Sequence, residues 1–404
     1  MNLNKLKITD IDLKNKRIFT RVDLNVPLDD DCNITDDYRI VSALPTIKYI
    51  LEQGGKTILA SHLGRPKGKI VPELSLKPVQ KRLQELLDRE VMFSENIVGE
   101  DVVKMSNDLK EGQVLLLQNL RFNSGEKKND PLFSKNLSLL GDLYINDAFG
   151  TAHRAHSSVS GITKFYKKRA MGFLMEKELK WLGYAAENPN KPFFAVLGGA
   201  KISTKIDVIM NLVPKVDTIL VGGAMAFTFL KAQGVSIGNS LIDDEKLEEA
   251  GKILKYAIEQ KTNFVLPNDF VVAADLSNDA KTDIVEKDRI PEGWMGVDIG
   301  PMTTKIFNNG LLTAKTIFWN GPMGVFEMEN FKNGTMEIAK TMAEATKNSA
   351  VSVVGGGDSV SAVKMAGLEE KSFTHISTGG GASLEFMAGK ELPGITSLTD
   401  KEEV

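Results

Sequence analysis

Short runs of apolar and β-branched residues recur along the chain, separated by segments whose apolar positions return every three or four residues. The first half carries RIFTRV (17–22), KTILA (56–60), VLLLQ (114–118) and LYI (143–145). The second half carries FFAVL (193–197), TILV (218–221), NFVL (263–266), TIFW (316–319), AVSVV (350–354) and HIS (375–377). Near-continuous apolar runs of this length predict parallel strands buried on both faces. Between them, DEKLEEAGKILKYAIEQK (244–261) predicts an amphipathic helix with Leu247, Ala250, Leu254, Ala257 and Ile258 on one stripe. Strands alternating with helices predict a doubly wound α/β sheet in each half.

The residues that follow the strands carry more information than the strands. They are DLN, SHLGRP, NLRF, NDAFG, GGAK, GGA, PND, NGP, GGGDS and TGGG. Any one of these reads equally well as an ordinary turn. All of them together, polar or glycine-rich at the carboxyl ends of strands, mark the edge where open α/β sheets bind ligands.

At 404 residues the chain is long enough for two domains of ordinary size. The prolines and polar residues of ENPNKP place the boundary at 186/187, giving 1–186 and 187–390. Hydrophobic residues make up 42% and charged residues 25%, the balance of a globular protein. A net charge of −3 supplies no global positive field for a nucleic acid or an anionic membrane. Cys32 is the single cysteine, so an internal disulfide and any multi-cysteine metal site are excluded. The start MNLNKLKITD has no apolar leader region and no stretch is long enough for a membrane span, so a reducing cytoplasm is the expected compartment.

Charge type is unevenly distributed. Of ten arginines, nine lie at or before Arg169, as do three of the four histidines. Arginine grips phosphate and carboxylate with two parallel hydrogen bonds, so the first half is expected to hold an anion. Asp23 and Asn25 follow the first strand, His62 and Arg65 the second, Arg121 the third and Arg154 the fourth. Arg39 opens a helix that runs to about Gln53. Taken singly, each arginine reads as a surface ion pair. Five cations converging on one sheet edge would repel one another without an anion between them. His153 and His156 are spaced H-x-x-H, but they lack the interior glutamate of the zinc-protease helix and any nearby cysteine.

The second half lacks the two common nucleotide loops. GGKT (54–57) has Ile50 where a P-loop needs its first glycine, and Val360 and Leu384 break the two nearest approaches to GxGxxG. Glycine clusters stand instead at GGAK (198–201), GGA (222–224), GGGDS (355–359) and TGGGAS (378–383). Glycine lets backbone N–H groups approach an anion, and a following helix adds its positive end. Lys201 and Lys205, spaced i and i+4, are expected on one face of a helical turn, either at a phosphate chain or as solvated surface lysines. Asp358 reads either as a helix N-cap or as the single carboxylate that holds a magnesium ion beside phosphates.

The motifs RVDLNVP, SHLGRP, LQNLRF, NDAFGTAHRAHSS, GGAKISTKI, GGAMAFTFL, LPND, WMGVDIGP, WNGPMGVFE, VGGGDS and STGGGAS occur in an order that resembles the phosphoglycerate kinases. One departure is Ser203–Thr204, where an acidic residue often precedes the second lysine of that family. The resemblance implies reversible transfer between 1,3-bisphosphoglycerate plus ADP and 3-phosphoglycerate plus ATP, with Mg²⁺, in a monomer. It implies two similar-sized doubly wound parallel-sheet domains facing each other across a hinged cleft, with the tail 391–404 packed back on the first.

By the same resemblance Asp23, Asn25, Arg39, His62, Arg65, Arg121 and Arg154 bind the triose. Lys205, Gly223, Gly296, Asn320, Glu327, Gly356, Gly357, Asp358 and Ser359 bind the nucleotide, with Glu327 on the ribose and Asp358 on the metal. Arg39, Lys201, Lys205, Gly379 and Gly380 are implied at the moving phosphoryl group, in-line, in the closed cleft. The chemistry is consistent with that reading: in the ATP-consuming direction the nucleophile is a carboxylate, ionised at pH 7, so no general base is required. A nicotinamide dehydrogenase would need the missing dinucleotide loop, and a non-catalytic nucleotide module would not need the arginine-rich first half.

Overall fold

A computed structural model describes residues 2–403. The chain divides into two compact units, one running to Lys180 and rejoined from Glu391 onward, the other Trp181–Lys390. The division falls inside the helix Phe173–Glu187, ahead of the position suggested by the prolines.

The first unit holds six strands: β1 (Arg17–Val22), β2 (Lys56–Ala60), β3 (Val91–Phe93), β4 (Val114–Leu116), β5 (Leu143–Asp147) and β6 (Arg169–Met171). They form one sheet in the order β3-β4-β2-β1-β5-β6, with every pair parallel. Apolar side chains cover both faces. Val22, Ile40, Ile47 and Leu59 pack in one core, and Ile8, Ile18, Ile50 and Ile145 in another. The segment after Glu391 belongs to this unit. Leu6 N donates to Thr399 O at 2.8 Å, Lys5 pairs with Asp400 at 2.8 Å, and Asn146 Nδ2 donates to Gly394 O at 3.0 Å.

The second unit contains β7 (Phe193–Leu197), β8 (Thr218–Val221), β9 (Asn263–Val265), β10 (Asp269–Ala273), β11 (Thr282–Glu286), β12 (Met295–Ile299), β13 (Thr316–Asn320), β14 (Val351–Gly355) and β15 (His375–Ile376). Six of these form a parallel sheet in the order β15-β14-β13-β7-β8-β9. The remaining three form a separate antiparallel sheet, β11-β10-β12, that the apolar runs do not predict. All ten expected strands are present, most within a residue or two of the predicted ends.

The amphipathic helix forms over Leu247–Glu259, but its buried positions are Ala250, Ile253 and Ala257. Ile258 is 77% exposed, which corrects the predicted stripe. Ile253 and Ala257 are four apart and stack on one face, whereas Ile258 is turned a further 100° toward solvent.

Candidate active site

In each sheet the central strand has neighbours on either side that the chain reaches by crossovers in opposite directions. At such a switch point the carboxyl ends of the strands leave a crevice. In the first unit this lies beside β1. Asp23, the residue after that strand, is buried, and its carboxylate accepts a hydrogen bond from Arg39 Nη1 at 2.7 Å. Arg39 is the second residue of the helix Tyr38–Glu52, so the ion pair fixes its guanidinium at the sheet edge. Asn25 Oδ1 accepts from Gly64 N at 2.8 Å, tying the loop after β1 to the loop after β2. Arg121 donates through Nη1 to Gly64 O at 2.7 Å, while its buried Nε has no acceptor. A buried donor without a partner is costly, and an anion in the crevice would supply one. Arg65 and Arg154 stand exposed at the rim.

The electrostatics of this cluster follow from burial and like charge. Burial, then Arg21, Arg121, Arg39 and His156, hold His62 well below the ordinary histidine range. Burial, then Arg21 and Arg154, bring Arg121 down to about 10, against the pull of Asp23 and Glu126. His156 is pushed down to about 3, first by burial and then by Arg21, Arg121, Arg154 and Lys127. These mutual effects place Arg39, His62, Arg121 and Arg154 in one field, with Asp23 and Glu126 as its acidic counterweights.

Two members were not singled out from sequence, Arg21 within β1 and Glu126, and His156 was weighed only as half of an H-x-x-H metal pair. His153 and His156 do not converge on a metal. His153 Nε2 meets Arg154 Nε at 3.0 Å, and His156 Nδ1 faces Glu126 Oε1 at 3.9 Å. Among the described residues no group of three or more His, Cys, Asp or Glu is arranged to hold a metal ion.

The second unit builds its crevice from backbone. The turns after β7, β8, β14 and β15 place Gly199, Gly223, Gly356 and Gly380 at positive φ. A Cβ on Gly223 would lie 2.5 Å from Gly199 N, so two glycine turns touch with no room for a side chain. Lys205 is buried, and its Nζ donates to Asn320 Oδ1 at 2.6 Å. Asn320 Nδ2 in turn donates to Gly355 O at 2.8 Å, linking the ends of β13 and β14. Burial lowers Lys205 to about 8, with Asp358 pulling the other way.

Around these groups is a cavity of about 400 Å³ lined by Lys201, Lys205, Asn320, Gly356, Gly357, Asp358, Ser359 and Gly380, among others. A second cavity of about 250 Å³ shares Gly199, Ala200 and Asp358 with the first. Its walls are Phe227, Leu241, Phe270, Leu276, Val297, Met323 and Val325, with Gly223, Gly296 and Glu327 also lining it. Sequence reading missed those apolar walls, several of which come from or beside the antiparallel sheet.

Two local expectations are corrected. Lys201 and Lys205 flank a 3₁₀ turn, Ile202–Thr204, rather than sharing an α-helical face; Lys201 is exposed and Lys205 buried. Asp358 is not an N-cap. Gly356 occupies that position in the helix Gly357–Met365, and Asp358 lies exposed in the first turn. Gly379 does not line the cavity, and its N–H is spent on Ser377 Oγ at 3.1 Å, whereas Gly381 does line it. Ser359 lines the cavity, but its Oγ accepts from Gly321 N at 2.7 Å and so braces a loop.

A cluster of side-chain cations and a glycine-lined crevice with an apolar annex therefore stand in separate units. The model of the family described as phosphoglycerate kinase matches residues 8–390. The chain belongs to the phosphoglycerate kinase family. It is 55% identical over 398 residues to the phosphoglycerate kinase of Chlorobium phaeobacteroides (strain BS1), covering 98% of this chain and 100% of that one. It is 54% identical over 403 residues to that of Clostridium botulinum (strain Hall), covering 99% and 100%. Among solved structures, the phosphoglycerate kinase of Coxiella burnetii matches with a TM-score of 0.88 at 42% identity, over 97% of this chain and 98% of that chain. The Pyrococcus horikoshii OT3 enzyme matches with 0.81 at 35%, over 98% and 99%. Family membership makes this chain a kinase.

Proposed function

We propose that the cationic pocket of the first unit binds the triose and the paired cavities of the second bind the nucleotide. The chain catalyses its family's reaction, reversible phosphoryl transfer between 1,3-bisphosphoglycerate plus ADP and 3-phosphoglycerate plus ATP. The observation that carries the residue assignment is the pair of cavities joined at Asp358, one lined by lysines and glycine turns, the other by apolar side chains. A polyphosphate suits the first and a base the second.

In this reading Asp23, Asn25, Arg39, His62, Arg65, Arg121 and Arg154 hold the triose. Lys205, Asn320, Gly356, Gly357 and Ser359 surround the phosphates, Gly223 and Gly296 flank the base, and Glu327 takes the ribose. The nucleotide is used with a metal ion, which we take to be Mg²⁺. The exposed carboxylate of Asp358, shared by both cavities, is suited to hold it, with phosphate oxygens and water as the remaining ligands. When bound, the ion neutralises charge on the phosphates.

The ATP-consuming step needs no general base, because the attacking 3-phosphoglycerate carboxylate is already ionised at neutral pH. Catalysis is then alignment and neutralisation of charge on the transferring group. Arg39 from one unit and Lys201 from the other supply cations to it, and Gly380 supplies close backbone approach. Transfer requires the two bound substrates to be brought together with water kept from the acyl phosphate.

The working form we propose is a single chain in the cytoplasm. No helix of the described residues is long and apolar enough to cross a membrane. A coupled assay of ATP consumption, with and without 3-phosphoglycerate and with the metal removed by chelation, tests the reading. Consumption should require both 3-phosphoglycerate and the metal. ATP turnover indifferent to 3-phosphoglycerate would reject it.

A further inference from the structure

Beneath the triose pocket, four side chains form a hydrogen-bonded row: Glu126, Ser158, Arg21 and His62. Each is nearly sealed from solvent, with Arg21 at 1%, Ser158 and Glu126 at 0% and His62 at 4% exposed. The Glu126 carboxylate accepts from Ser158 N at 3.0 Å and from Ser158 Oγ at 2.6 Å. With its proton committed to the carboxylate, Ser158 Oγ accepts from Arg21 Nε at 2.9 Å. Arg21 Nη1 donates to Val22 O, and Arg21 Nη2 lies 3.1 Å from His62 Nδ1. A guanidinium has five donors and no acceptor, so the last contact has only one polarity: arginine donates and Nδ1 accepts. His62 Nδ1 therefore carries no proton, and the ring's single proton is on Nε2.

We propose that Arg21, braced by Ser158 and Glu126, is a positioning residue that keeps His62 neutral with its proton on Nε2, so that His62 meets the triose as a fixed hydrogen-bond donor and not as a cation. The inference rests on the assignment of this pocket to the triose. Protonating Nδ1 would set two donors against each other. The charged and titratable groups that act on the ring from neighbouring elements are Arg21 on β1, Arg39 on the helix Tyr38–Glu52, Arg121 in the loop after β4, and His156. All oppose a second proton. A histidine at its ordinary value of about 6.5 would change charge across the working pH range. A locked neutral ring contributes the same hydrogen bond throughout, leaving attraction to the arginines. Glu126 offsets the buried guanidinium, and Arg21 in turn holds Glu126 down against the upward push of burial.

The experiment is ¹⁵N–¹H NMR of the side chains of the four histidines in the full chain, with His62 assigned from the His62→Gln spectrum. In the free protein His62 should show the Nε2–H tautomer and no titration between pH 6 and 8. Arg21→Met should release the ring, with mixed tautomers and a midpoint raised at least tenfold in proton affinity, and Arg21→Lys should restore the tautomer in part. If Arg21→Met does not fold, Glu126→Gln, which keeps the shape and removes the charge, should loosen Arg21 and make His62 titrate. An Nδ1–H tautomer, a midpoint near the ordinary histidine value in the wild type, or a tautomer unchanged in both Arg21→Met and Glu126→Gln would overturn the proposal. The readout needs no ligand, so its failure leaves the triose assignment standing. That assignment is tested separately by 3-phosphoglycerate binding to Arg65→Ala.

Discussion

On the proposed assignment the two units solve the same problem, holding a small polyanion at the end of a parallel sheet, with different atoms. The first uses side-chain charge: Arg39 pinned by Asp23, Arg121 with a free buried Nε, and a rim of Arg65 and Arg154. The second uses backbone turns that only glycine can make, with two lysines at the edge and an apolar annex. A triose has little apolar surface, so its recognition falls to charge-assisted hydrogen bonds. A nucleotide brings a base that rewards apolar burial, and its phosphates can be met by N–H groups at a helix start. A site made of separable side chains should lose function piece by piece. One made of interlocking turns should fail through its geometry.

The largest effects are expected where the two designs must act on the same atom. Arg39→Ala and Lys201→Ala should each lower kcat by on the order of 10²-fold or more, the scale of losing one preorganised donor. The KM values for both substrates should change far less, since the cations are aimed at charge that develops during transfer. Near-normal kcat in either variant would remove that residue from the transferring group and leave the units as independent binding sites.

The next effects separate the designs. Gly356 has φ +91°, and a Cβ there would lie 2.8 Å from Asn320 Nδ2, the group that links Lys205 to β14. Gly356→Ala combines backbone strain of about 1–3 kcal/mol with displacement of that link. It should raise the KM for ATP by roughly ten- to a hundredfold on that scale, with 3-phosphoglycerate binding unchanged. Arg65→Ala is its mirror. It should weaken 3-phosphoglycerate by about tenfold or somewhat more, the worth of one charge-assisted contact, with ADP affinity untouched by calorimetry. Cross-effects in either variant would break the division of labour.

The same contrast explains what could be read from sequence. The parallel strands were legible because burial on both faces leaves continuous apolar runs such as FFAVL. β3 and β6 have three residues each and were not. β10, β11 and β12 were not either: four of β11's five residues are exposed and its sequence TDIVE carries no buried stripe, Gly296 and Asp298 interrupt β12, and the buried run of β10 was passed over. That omission hid the antiparallel sheet, and with it the apolar annex walled by Phe270, Met295 and Val297. In the first unit the rim arginines were visible because they follow strands. Arg21 was hidden inside RIFTRV, and its partner Ser158 is 137 residues away. Buried charge networks depend on such distant pairings, which local pattern does not encode.

The smallest prediction concerns pH, and it turns on Lys205. Burial brings its ammonium down from the ordinary lysine value to about 8, whereas Arg121 in the first unit, brought down to about 10, keeps its charge through that range. Phosphates favour the protonated lysine, so nucleotide affinity should fall as pH rises through 8, by at most about tenfold per unit. Stability should move the other way. A folded value below the unfolded one means that the unfolded chain binds more protons between about 8 and the ordinary lysine range near 10.4, so the cost of burying this lysine is relieved as pH climbs through that window.

Over pH 7.5 to 9 the triose site has no comparable change, since His62 and His156 are already neutral and Arg121 is still protonated. Calorimetric titrations of ADP and of 3-phosphoglycerate across that range should therefore diverge. ADP should weaken about twofold by pH 8 and approach tenfold by pH 9, while 3-phosphoglycerate stays level. In Lys205→Met the ADP curve should lie flat at weaker affinity. Parallel curves for the two ligands in the wild type would show that Lys205 keeps its proton throughout, and the pH contrast between the two sites would be lost.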